Sequence, residues 1–111
     1  MIKKIKVIPS DPYYLLKIEA DSNDGDYIKE ETYFTENGAE IAIKALDIIL
    51  SKLMDSHALE SHYSICTFEE EEILDYVDFP RTDWGICHTI ENCELFYYDT
   101  EGFTYKIELE D

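Results

Sequence analysis

Between Asn37 and Met54 the chain is apolar except along one line, where Glu40, Lys44, Asp47 and Ser51 recur at intervals of four, three and four. On a helix these side chains form a single narrow stripe, and Ala, Ile, Leu and Met cover nearly all the rest. Asn37 with Glu40 three residues on has the spacing of an N-cap and its reciprocal partner, which predicts a helix running to about Asp55. A helix so apolar needs covering over most of its circumference, and the flanking segments supply strands to do it.

Ile2–Ile8 reads as a strand ended by Pro9. Tyr13–Ala20 alternates, with Tyr14, Leu16, Ile18 and Ala20 on one face and Lys17 and Glu19 on the other. The turn-forming run Asp21–Asp26, with Gly25 free to take positive φ, returns the chain into Tyr27–Phe34, whose charges suit an edge strand. After the main helix and a polar connection, His62–Thr67 predicts a strand. Thr67 then caps a second helix over Phe68–Asp78, with Glu70 as capping-box partner and Ile73, Leu74 and Val77 as its apolar face. Pro80–Gly85 is a loop. Strands are predicted over Ile86–Ile90, Cys93–Asp99 and Phe103–Leu109, with Gly102 in the left-handed position of the last turn.

The resulting order, β-β-β-α-β-α-β-β-β, predicts an α+β fold. A largely antiparallel sheet packs on one long apolar helix, with a second, short, acidic helix beside it. At 111 residues, 1–111 is expected to be a single domain with one core.

Charge changes the picture most. Twenty-six acidic and nine basic residues give −17, well beyond the magnitude of roughly 2–8 that suits a small domain. Residues 1–54 hold ten acids and seven bases, a net of −3; residues 55–111 hold sixteen acids and two bases, a net of −14. Such a field repels nucleic acid and anionic membranes and attracts basic proteins. No apolar run has the length of a membrane span, and the lysine-rich start lacks the apolar stretch of a signal peptide. Cys66, Cys87 and Cys93 form no Cys-x-x-Cys pair, and with an odd count they point to a reducing, cytoplasmic location.

Catalytic patterns fare poorly. Cys87-His88 followed by Cys93 fits no zinc spacing, and strand alternation would part the first two, so no metal or cofactor is expected. A Cys66–His88 nucleophilic pair has no local motif behind it. No lysine has an acid two residues before it, as the common metal-dependent nuclease motif requires. The glycines form no phosphate loop, and no catalytic residue is assigned.

The candidate site is therefore a partner-binding one: Glu69, Glu70, Glu71, Glu72, Asp75 and Asp78 on the acidic helix, then Asp83, and Trp84 as an aromatic anchor. Tyr97, Tyr98 and Phe103 are further aromatic candidates, since Trp and Tyr often carry interface energy. Helix neighbours set carboxylates roughly 5–6 Å apart, and alternate residues of a strand such as Glu108 and Glu110 about 6.6–6.8 Å. These are spacings of the order at which nucleic acid presents phosphates. The leading expectation is a non-enzymatic inhibitor occupying the basic nucleic-acid-binding surface of a nuclease or other nucleic-acid-binding protein. Small acidic phage-encoded inhibitors of host defence nucleases are analogous in charge and size. The alternatives are an immunity protein that neutralises one toxin nuclease, and a small-ligand or enzymatic domain with its pocket beside the main helix.

Overall fold

The computed structural model describes residues 12–22, 25–54, 66–78 and 88–109. Within them the fold is α+β, a four-stranded antiparallel sheet with two helices on one face. The strands are β1 (Tyr13–Ser22), β2 (Tyr27–Thr35), β3 (His88–Tyr98) and β4 (Thr104–Ile107), in the spatial order β2-β1-β3-β4. The helices are α1 (Ala39–Ile48) and α2 (Phe68–Leu74). The predicted strand Ile2–Ile8, most of His62–Thr67, and the Pro80–Gly85 loop lie outside the described residues.

β1 follows its alternation. Leu16, Ile18 and Ala20 are buried, and with Phe34 of β2 and Ile90, Cys93 and Leu95 of β3 they build the sheet's side of the core. The helices close it with Ala42, Ala45, Leu46, Ile48, Ile49, Leu53, Leu74 and Val77. The opposite face of the sheet carries Leu15, which is also buried; its cross-strand partners are Tyr33 and Phe96. Gly25 and Gly102 both take positive φ in their turns, as expected.

The long helix begins differently from its sequence signal. A 3₁₀ turn, Glu36–Gly38, precedes α1, and no side chain caps either start, so Asn37 is not the N-cap. Gly38 packs closely there, since a Cβ would sit 3.3 Å from the Phe34 ring. Glu40 instead pairs with Lys44 at 3.1 Å, one turn on. Beyond Ile48 the helix widens into a π-helical turn, Ile49–Leu53, closed by the Met54 N–H on the Ile49 carbonyl at 2.9 Å. The expected cover over most of its circumference is also incomplete. Ile43 is 37% and Leu50 40% exposed, so the solvent face is broader than the four-residue polar stripe.

Two further differences have clear causes. The strands expected at Ile86–Ile90 and Cys93–Asp99 merge into β3, because a bulge lets the strand pass without ending. Glu19 of β1 pairs with Asn92 and Ala20 with Ile90, which leaves Glu91 as the extra residue. The bulge shifts the parity of the buried positions from Ile90 to Cys93 and Leu95, a phase break that reads in sequence as a strand end. α2 stops at Leu74, short of Asp78. Its last residues tighten, with the Tyr76 N–H on Ile73 and the Val77 N–H on Leu74 at 3.2 and 3.0 Å. The Asp78 N–H then donates to the hydroxyl of Thr32 on β2 at 2.9 Å, tying the chain to the sheet.

Candidate functional site

The acidic helix is built as its sequence signalled at the N-terminus. Thr67 is extended (φ −72°, ψ 166°), and its hydroxyl accepts the Glu70 N–H at 3.2 Å while the Glu70 carboxylate accepts the Thr67 N–H at 2.8 Å. The reciprocal pair satisfies donors that a helix start leaves open. What the sequence did not reveal is Lys52, from the π-helical turn, whose ammonium donates to the same Glu70 carboxylate. That contact and the Thr67 backbone bond hold the Glu70 carboxyl below the usual range. The other end is fixed by Leu74 and Val77 in the core.

This attachment sorts the predicted site residues. Glu70 is turned toward the cap and Lys52, so it positions the run. Glu69, Glu72 and Asp75 are exposed and follow one another at three-residue steps, an axial rise of about 4.5 Å each. Glu71 and Asp78 are half-buried. Asp83 and Trp84 lie outside the described residues. Carboxylates are not confined to α2: Glu19 and Asp21 on β1, Glu30 and Glu31 on β2, Glu40 and Asp47 on α1 and Glu94 on β3 spread charge over both layers. The described cations are all engaged. Lys29 approaches Glu19 at 3.9 Å and Lys106 approaches Glu94 at 3.4 Å, Lys44 and Lys52 have the partners given above, and Lys17 lies 5.4 Å from the Phe96 ring centroid.

A second feature was only partly visible in sequence. At one end of the sheet, Phe34, Tyr14, Tyr97 and Tyr105 stand opposite one another across all four strands, on the helix side. The Tyr14 and Tyr97 rings are 4.8 Å apart and the Tyr97 and Tyr105 rings 6.2 Å. On the other face Tyr13 stacks on Tyr98 at 4.7 Å and meets Tyr33 at 5.8 Å. The predicted aromatics Tyr97 and Tyr98 thus join two separate rows, because adjacent strand residues point to opposite faces. Phe103 is exposed at the β3–β4 turn. Burial, then the carboxylates of Glu36 and Asp99, raise the Tyr97 hydroxyl above its ordinary value. The signal for the row lay in the paired tyrosines at 13–14 and 97–98, but the register that aligns them is a product of the fold.

Thiol chemistry finds little footing. Burial pushes the Cys93 thiol up to about 12, and burial with the Glu70 charge raises that of Cys66. Among the described residues no group of three His, Cys, Asp or Glu is placed to hold a metal ion, and no helix is long and apolar enough to cross a membrane. Beside the main helix, an open recess of about 510 Å³ runs between Leu46 and Leu50 on one wall and Cys93, Ile107 and Leu109 on the other. Compared with known proteins, the chain matches no protein family, no curated protein and no solved structure.

Proposed function

We propose that this protein is a non-enzymatic acidic inhibitor that occupies the nucleic-acid-binding surface of a basic partner, a nuclease or other nucleic-acid-binding protein. The observation that carries the reading is the stripe Glu69–Glu72–Asp75, exposed on a helix pinned by Lys52 at one end and by the core at the other. A helix backbone held at both ends lowers the entropy cost of docking, and the described lysines are too few to offset the surplus charge. Attraction of this kind speeds association and weakens as salt rises. The free thiols Cys66 and Cys93 support a cytoplasmic setting.

The test is competition. The protein should displace a fluorescent DNA duplex from a panel of unrelated basic DNA-binding proteins at low salt. The triple variant Glu69→Gln, Glu72→Gln, Asp75→Asn should lose most of that effect with its circular dichroism unchanged. Equal competition by the variant would remove the acidic stripe from the mechanism.

The exposed aromatics favour a second reading, an immunity protein that plugs one toxin nuclease. It would bind a single partner through shape, and its affinity would survive about 0.5 M salt, where charges more than a few ångströms apart are screened.

A further inference from the structure

The two faces of the sheet treat their aromatic rings differently. On the outer face the rings have cations of their own: Lys17 lies 5.4 Å from the Phe96 centroid and Lys29 5.9 Å from that of Tyr27. The inner row has none among the described residues, since every described lysine is placed elsewhere. Among the described residues, the carboxylates of Glu36 and Asp99 are the charges that act on it. Glu36 begins the turn into α1 and is exposed; Asp99 directly follows β3, where it also accepts the Glu101 and Phe103 N–H groups at 2.9 Å each. Tyr105 is 51% exposed and Phe103 59%, so the row opens to solvent at the β4 edge. Aromatic faces with carboxylates beside them attract a planar, weakly hydrated cation more strongly than a compact ammonium.

We propose that the inner-face row Tyr14, Tyr97 and Tyr105, with Glu36 and Asp99 beside it, seats arginine side chains of a basic protein partner. The proposal rests on the reading of an acidic protein that binds a basic one, and adds where the anchor lies and which cation it prefers. Charge complementarity selects this occupant: the chain has a net charge of −17, and its ring surface is bordered by acids and lacks a lysine of its own among the described residues. The row stands at the end of the sheet where β1 begins and β3 finishes, on residues that α2 does not contribute.

The test uses two blocked peptides of equal length, oligo-arginine and oligo-lysine, titrated at low salt and followed by aromatic-ring NMR. The expected result is tighter binding of the arginine peptide, with shifts at the Tyr97 and Tyr105 rings. Tyr105→Ala should weaken it about two- to fivefold, the effect of one exposed cation–π contact, while Tyr105→Phe, which keeps the ring, should bind as the native chain does. Tyr97→Leu provides a second variant. Equal affinity for the two peptides, or full affinity in Tyr105→Ala and Tyr97→Leu with shifts confined to α2, would overturn the arginine row and leave the broader acidic reading standing. Failure of both peptides to bind would overturn the two readings together.

Discussion

Thr67→Ala tests the helix that presents the acidic stripe. The substitution removes the hydroxyl that accepts the Glu70 N–H at 3.2 Å, together with half of the reciprocal cap. Cap losses of this type cost about 1 kcal/mol, in a range of roughly 0.5–2. With an unfolding entropy of about 2.1 cal/mol/K per residue, 1 kcal/mol in a chain of this length lowers Tm by about 4 °C. The alternative is that α2 undocks. That would expose Leu74 and Val77, both fully buried, at about 1.5–3 kcal/mol for each side chain. The two outcomes separate in urea denaturation followed by circular dichroism. Loss of the cap alone moves the midpoint at constant slope, whereas undocking also reduces the slope, since the native state then exposes more surface. Thr67→Ser, which restores the acceptor, should recover most of the loss. A Thr67→Ala midpoint indistinguishable from that of the native chain would refute the claim that this cap holds the helix.

Lys52→Met should destabilise the protein at pH 7, and the difference should shrink on acidification. The Glu70 carboxyl lies below its ordinary value in the folded state, so its contribution is complete above the unfolded value and is lost as pH falls through the lowered folded one; a difference independent of pH would contradict the pairing. With Cys66 and Cys87 replaced by Ser, Cys93 should resist an aromatic disulfide reagent at pH 8 and react at once in urea, since burial holds its thiol at about 12. Rapid labelling of the folded protein would show that β3 is not seated as described.

The acidic helix was the most legible element, because a cap and its partner are three residues apart and a short window contains both. The same is true of the alternation in β1 and of the positive-φ glycines. What escaped depends on distant contacts. Asn37 and Glu40 have the spacing of a cap, yet a 3₁₀ turn over Glu36–Gly38 precedes α1 and Glu40 pairs with Lys44 instead. Glu91 breaks the period of β3 because β1 has no residue to pair with it. Glu70 was legible as the cap partner of Thr67, but its tie to Lys52, 18 positions away, was not. The rings of Tyr14, Tyr97 and Tyr105 come from segments whose alignment no local pattern encodes.

The central pairing of the sheet has a kinetic consequence. β1 is hydrogen-bonded on one side to β2, which follows it directly, and on the other to β3, which comes only after both helices. Closing that long loop loses entropy before any ladder bond forms in return. The hairpin can therefore assemble early, as translation proceeds, while β1 keeps an open flank until the latter part of the chain emerges. Until then its hydrogen-bonding groups are available to any extended stranger, and the time spent waiting sets the hazard of mispairing.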